Sequence, residues 1–473
     1  MKKLKLFLEN FLIYGFGGII SKLVPLVMVP IVTRLMPNSS YFGISDMSNT
    51  VVSFGSSLAV MGMYDAMYRM FFEKNDEDYQ KEICSTTLIF TLMTSAVIFL
   101  IMLVLRDFIA DKFFGDTKYT YLVYITAIAT LVGATNNIIC APTRMQNKRK
   151  VFVVMNALSP LVSYGVSIPL LLTGHYIIAL PVAGVISGFS CEVIFWILNK
   201  EWFNFKKFRI EYLKPLLWIA IPLLPNFLIY WIFSSSDKLM ITNLIGTAAT
   251  GVYSVGGKLG NASQLIYTAF AGGWQFFAFS TMKEKDQVKS NSQIFEYLGI
   301  ISFVCAMGIF IICKPLYELL FTGEYVVGYI ISPYLFLAPL LQMLFQVACN
   351  QFLVIKKTWP NIFILSTGAI VNIVLNLVLI PKIGIEGAAI ATLVGYVVSD
   401  IIVVIVLMKM RLMVMSIQFV IATLLMTGFI LLWRFVIGSQ MLVSIIVALI
   451  ITICYGWLYR RDLKMLLEQI RNR

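Results

Sequence analysis

Fourteen apolar runs of about 20 residues follow one another along this chain. They lie near 10–36, 41–71, 84–105, 119–141, 151–173, 176–198, 215–244, 250–281, 294–313, 326–350, 359–380, 385–408, 412–434 and 440–459. A helical run of that length spans the ~30 Å hydrocarbon core of a bilayer. In hydrocarbon the backbone must satisfy its own hydrogen bonds, and a helix does so within one segment. The expected fold is therefore all-α integral membrane, with 14 transmembrane helices. Only 13% of the residues are charged and 59% are hydrophobic, against about 25% charged in soluble domains. The longest polar stretch, about 199–214, is too short to form a soluble domain. Met1-Lys2-Lys3 resembles the start of a secretory signal. No small-residue cleavage site follows and the first run is too long, so it reads as retained.

The net charge of +13 invites a nucleic-acid reading, and its distribution argues against one. With the N-terminus inside and the loops alternating, cytoplasmic segments hold 27 of the 37 Lys and Arg. Outer loops and helix ends hold 8, namely Arg34, Arg106, Lys112, Lys118, Lys238, Lys314, Lys382 and Arg434. Lys22 and Lys258 lie within helices. This is the positive-inside pattern. It predicts a multi-pass membrane protein with an even number of spans and both termini cytoplasmic. The seven cysteines are scattered in apolar runs without CxxC spacing and read as small core residues. His175 is the single histidine. No metal cluster or Ser/His/Asp set can be built around it, so a hydrolase or metalloenzyme is not expected.

An internal repeat organises the chain at an offset of 208 residues. Gly43 meets Gly251, Leu58 meets Ile266 and Arg106 meets Lys314. Phe113 and Gly115-Asp116 meet Phe321 and Gly323-Glu324. Lys148-Arg149 meets Lys356-Lys357, and Glu192 meets Asp400. The loop coincidences carry most weight, because loop residues are not forced by apolar composition. Six helices return the chain to its starting side, so the two halves are expected to be parallel repeats. The expected organisation is an N-lobe over 1–200, a cytoplasmic linker over 201–214 and a C-lobe over 215–411. Two further helices and a basic tail follow over 412–473.

One residue stands out within this frame. Lys22 sits in the first run, seventeen positions after Lys5 and fourteen before Met36. At ~1.5 Å per residue its Cα lies ~20–25 Å from either end, beyond easy reach of interfacial water. A charge at that depth costs at least ~2.5–3.5 kcal/mol and ordinarily faces a wet cavity or a partner. Lys258 lies about eight residues inside its helix, and Arg34 lies near a helix end. Asp65 and Arg69 are four apart, the spacing of an intrahelical ion pair. Asp237 follows Ser234-Ser235-Ser236 inside a long apolar run. Its neighbour Lys238 points elsewhere, because adjacent helical positions diverge. Asn372 and Asn376 share one helix face, and Thr392 follows in the next run. Oxygen donors of this kind suit a hard cation such as Na+.

These signs together resemble the multidrug/oligosaccharidyl-lipid/polysaccharide exporter superfamily, and within it the polysaccharide and O-antigen-type flippases. The resemblance spans residues 8–408. It rests on Ser21-Lys22, Thr33-Arg34, Met36-Pro37, Tyr41-Phe42-Gly43, Asp237-Lys238, Gly251-Val252-Tyr253-Ser254 with Lys258, and Trp274. It implies two six-helix lobes around a central cavity, alternating access, and a polyprenyl-linked anionic oligosaccharide as cargo. On that reading Lys22, Arg34, Arg69 and Lys258 would offset the negative charge of a pyrophosphate linkage. Asp237, Asn372, Asn376 and Thr392 resemble the sodium site of the superfamily's lipid II flippases. Asn376 stands where a second carboxylate is expected, which lowers the negative charge of the set. Na+ or H+ is the coupling ion this implies, and no organic cofactor is expected. Membrane lipids are expected partners, and a polysaccharide polymerase and glycosyltransferases would be neighbours in the pathway.

Three alternatives differ in what they require. A lipid II or teichoic-type precursor flippase would use the same cations for a different headgroup. A cation-coupled multidrug antiporter would want an acidic or aromatic cavity, which Lys22 opposes. A membrane glycosyltransferase would need a carboxylate base and a sizeable loop for its sugar donor, and the loops are short. No phosphate-binding P-loop is present. The nearest approach, Gly251 to Lys258, has one residue too many and Leu259 where Ser or Thr is needed.

Overall fold

The structure is a computed structural model that describes residues 23–267, 270, 274, 286–355, 357, 359–438, 440–462 and 464. Among the described residues the secondary structure is helical, with no strand. Eleven helices there are long and apolar enough to cross a membrane, and they fall on eleven of the fourteen expected runs. The first run is described from residue 23, as the helix Leu23–Leu35. The second is divided into Ser39–Val60 and Met63–Phe71. The eighth begins with the helix Thr247–Gly260 and is described only in part beyond it.

The chain folds as two compact units. One runs to residue 255 and includes 322–325 and 375–388. The other comprises 256–321, 326–374 and the chain from 389 onward.

In the first unit the second run breaks at Met61 and Gly62, whose φ angles of 51° and 76° are left-handed. At Gly62 a side chain is excluded twice, by φ and by space. A Cβ there would lie 2.7 Å from the Ala220 carbonyl oxygen. The break turns Met63, Met67 and Met70 into a buried cluster with Leu216 and Ala220 of the helix Ile210–Ala220. Packing and hydrogen bonds, rather than water exclusion, hold helices together in lipid. Small hydroxyl residues supply the bonds. Ser48 meets Thr126 at 2.9 Å, and Ser56 donates to the Thr130 carbonyl at 3.0 Å. Thr94 donates to the Ala59 carbonyl at 2.6 Å, and Ser187 to that of Ser159 at 2.7 Å.

The polar stretch near 201–214 is docked along the start of the helix Glu77–Val104. The Asn204 amide donates to Ser85 Oγ at 2.9 Å, and the Arg209 amide to Thr86 Oγ1 at 3.0 Å. Arg209 also pairs with Glu82 at 3.0 Å, and Lys207 pairs with Asp78.

In the second unit Glu296 anchors the last two helices, Ile417–Leu432 and Met441–Leu458, on the long helix Gln287–Leu320. Its carboxylate accepts from the Ser416 amide at 2.7 Å, the Ser416 hydroxyl at 2.6 Å and the Tyr459 hydroxyl at 3.1 Å. Ser416 in turn caps its helix by accepting from the Phe419 amide at 3.2 Å. Phe419 packs against Phe295 and Phe303, with ring centroids 5.6 and 6.0 Å apart. It also fills the space over Gly299.

Candidate functional site

The helix Ser39–Val60 starts at Asn38, whose side chain accepts from the Ser40 amide at 3.0 Å. One turn on, it crosses the helix Thr247–Gly260 at Gly43 and Gly251. A Cβ on Gly43 would overlap the Thr247 carbonyl oxygen and lie 2.8 Å from the Gly251 amide. A Cβ on Gly251 would overlap the Ser39 carbonyl oxygen and lie 3.1 Å from the Gly43 amide. Thr247 is 208 residues from Ser39, as Gly251 is from Gly43. Repeat-equivalent positions therefore meet each other, backbone against backbone.

Asp46 and Ser254 each lie three residues beyond these glycines, on the same helix faces. Asp46 accepts the Ser254 hydroxyl at 2.8 Å and pairs with Lys238 of the helix Leu224–Leu244 at 2.6 Å. The Asp46 side chain is 5% exposed and that of Lys238 23%. Beside this pair the Tyr253 hydroxyl donates to Asp237. A buried ion pair is weak evidence for stability. Removing one partner, however, takes away a charged hydrogen-bond partner at a cost of about 1.5–3 kcal/mol. The cluster thus ties three helices through charges that must stay together.

Loops at the same helix ends repeat the relation. The Ser39 hydroxyl donates to Glu324, and Tyr325 lies edge-on to Phe42 at 6.4 Å. Burial pushes the Tyr325 hydroxyl up, so it remains a donor, and it reaches the Asn38 carbonyl at 3.4 Å. In the matching loop a Cβ on Gly115 would lie 3.1 Å from the Thr247 methyl. Gly115 and Gly323, which are repeat equivalents, both have positive φ, 79° and 61°.

Sequence reasoning missed Asp46 and counted Lys238 among the outer charges. Lys238 instead lies within a helix and is paired. The signal that could have found Asp46 was the repeat itself, since Ser254 is its 208-residue equivalent. The expected Asp65–Arg69 pair does not form. Both residues are exposed, at opposite ends of Met63–Phe71, and are not bonded to each other. Arg34 and Lys258 are also exposed side chains, near the ends of their helices. Lys22 lies outside the described residues.

Of the expected ion-site residues, Asn372 and Thr392 meet, the Asn372 amide donating to Thr392 Oγ1 at 3.1 Å. Asp237 and Asn376 are both buried. The donor set fits a hard cation in kind: amide and hydroxyl oxygens with one carboxylate. Any cation at Asp237 would share that carboxylate with Tyr253. Among the described residues no group of three His, Cys, Asp or Glu side chains is arranged to hold a metal ion.

A family model for polysaccharide biosynthesis protein matches residues 31–328. The chain belongs to the polysaccharide biosynthesis protein family. No curated protein matches the chain. This polysaccharide biosynthesis protein is similar in fold to a solved structure of "Lipid II flippase MurJ, inward closed conformation". The TM-score is 0.68 at 16% identity, covering 96% of this chain and 99% of that one. It is also similar to an inward-facing multidrug resistance MATE family transporter of the MOP superfamily. There the TM-score is 0.64 at 14% identity, covering 83% and 98%. The Vibrio cholerae MATE transporter VcmN in its bent form gives 0.56 at 15% identity, covering 86% and 96%. In fold the chain is thus like the transporters that the resemblance read from the sequence implies. The chain is a multi-pass membrane protein whose fold is like that of these transporters.

Proposed function

We propose that this polysaccharide biosynthesis protein is a flippase for an undecaprenyl-pyrophosphate-linked oligosaccharide. It moves the headgroup from the cytoplasmic to the outer leaflet of a bacterial cytoplasmic membrane, for assembly of a cell-surface polysaccharide such as capsule or O-antigen. The family match over residues 31–328 carries the reading. The geometry supports alternating access. Repeat-equivalent helices cross at Gly43 and Gly251, and Asp46, Ser254 and Lys238 fasten that crossing. Such a contact can be made and broken as a unit, because its charges are paired rather than spread over a surface.

In this reading the polyprenyl tail stays in lipid while the headgroup passes through the protein interior. Lys22, Arg34, Arg69 and Lys258 offset the pyrophosphate charge along the way. A lipid II or teichoic-type precursor is the second reading, since the fold of the MurJ lipid II flippase aligns with almost the whole chain. The multidrug antiporter reading is weaker, because the family match is to polysaccharide biosynthesis.

The direct test is reconstitution. Purified protein in liposomes containing a pyrophosphate-linked oligosaccharide should make the inner-leaflet pool accessible to an external, membrane-impermeant glycosidase. A rate equal to that of protein-free liposomes would end the proposal. Faster movement of lipid II than of the oligosaccharide would favour the second reading.

A further inference from the structure

Asp400 lies in the helix Ile385–Lys409, nine residues before its last residue, or ~13 Å along the axis. It is 9% exposed, and neither carboxyl oxygen has a hydrogen-bond partner among the described residues. No described Lys, Arg or His pairs with it. Among the described residues the buried Cys349 of the helix Ser332–Val354 lies near it. Its repeat equivalent, Glu192, is half-buried rather than buried.

A carboxylate taken out of water without a donor or a cation is held at a cost of several kcal/mol. The form that escapes this cost is the neutral acid, which needs neither. An apolar side chain would pack the same space without that liability. An acid here therefore does something that packing does not require. It binds a proton from one surroundings and can release it in another.

We propose that Asp400 is the proton-binding site of this transporter and that the bound proton is its coupling ion. The inference rests on the transport reading above and adds the ion to it. The step is a plain protonation, with one carboxylate and one proton giving one carboxylic acid. The proton is taken from water when the site opens outward and returned to the cytoplasm when it opens inward. Asp237, Asn372, Asn376 and Thr392 are not involved.

Two measurements on the full-length protein decide it. The first is infrared spectroscopy of the purified protein across a pH series. A neutral carboxylic acid band should persist above the pH at which ordinary carboxyls ionise, vanish in Asp400→Asn and shift in Asp400→Glu. A spectrum in which no such band depends on residue 400 overturns the proposal. Asn copies the shape of the neutral acid, and Asp400→Glu keeps the measurement decisive if Asp400→Asn folds poorly.

The second is the steady-state distribution of lipid-linked oligosaccharide in proteoliposomes under an imposed pH gradient. With one proton per cargo, a gradient of one pH unit should shift the ratio between leaflets up to about tenfold. Asp400→Asn should show no shift. An equal shift in that variant overturns the proposal even if the infrared band is present. If the wild type moves no cargo at any gradient, the flippase reading fails, while the infrared measurement still decides whether Asp400 holds a proton.

Discussion

Ser254 donates its hydroxyl to the Asp46 carboxylate at 2.8 Å, and the two residues are 208 positions apart, the period of the internal repeat. The offset that pairs Gly43 with Gly251 thus also pairs an acid with its hydrogen-bond donor. Lys238, at 2.6 Å, completes the charge balance. The pair holds together only while all three side chains are present.

Asp46→Ala should destabilise the purified protein by about 1.5–3 kcal/mol, because it removes the carboxylate that pairs with the half-buried Lys238. Lys238→Ala should do the same in mirror image. The double variant Asp46→Leu with Lys238→Met should recover most of the loss, since a buried pair can be exchanged for apolar groups. Chemical denaturation in detergent checks the three together. A double variant as unstable as the sum of the singles would mean that the pair is not the source of the effect.

Gly43→Ala and Gly251→Ala should each destabilise, although alanine is ordinarily the better helix residue by about 1 kcal/mol. The added methyl overlaps a backbone carbonyl oxygen, which cannot swing aside as a flexible side chain does. The expected loss is about 1–3 kcal/mol each. Thermal melting of the two variants measures it. An unchanged or raised melting temperature would refute the close crossing.

Glu296→Gln should loosen the last two helices from the second unit. Three donors converge on this carboxylate, and bonds to a charged acceptor contribute about 1.5–3 kcal/mol each. Limited proteolysis in the loop near 410–416 should become faster in the variant. Equal cleavage rates would show that aromatic packing around Phe419 suffices.

Lys22→Ala should abolish export of the surface polysaccharide while leaving near-normal amounts of protein in the membrane. Lys22→Arg should keep part of the activity, because the charge survives although its geometry changes. Export per molecule that stays normal in the alanine variant would remove Lys22 from the cargo path.

Sodium offers a separate check on Asp237, Asn372, Asn376 and Thr392. If these bind Na+, sodium should raise the melting temperature of the wild type through preferential binding to the folded state. Asp237→Ala should erase that rise. A rise that survives the substitution places the ion elsewhere.

The membrane helices were legible because they are written in apolar runs longer than any single contact. Loop glycines such as Gly115 and Gly323 carried the repeat well, since left-handed backbone restricts the residue type. Asp46 was not legible. It sits in an ordinary-looking Ser-Asp-Met-Ser stretch, and its partners lie on two helices far along the chain. Lys238 was misjudged for the same reason. Its place near an outer helix end put it among the topological charges, and only a fold can place an acid beside it. The docking of 201–214 was hidden too, because Ser85 and Thr86 look like any small polar residues until Asn204 and Arg209 are laid against them.

The crossing at Gly43 and Gly251 also governs how freely its helices can turn. Helix pairs usually lock at set angles because side-chain ridges of one lie in grooves of the other. Two glycines facing each other present no ridge, only smooth main chain. The side chains that fasten the two helices to each other are then those of the clasp one turn away, Asp46 with Ser254, braced by Lys238, so opening it would leave main chain alone at the crossing.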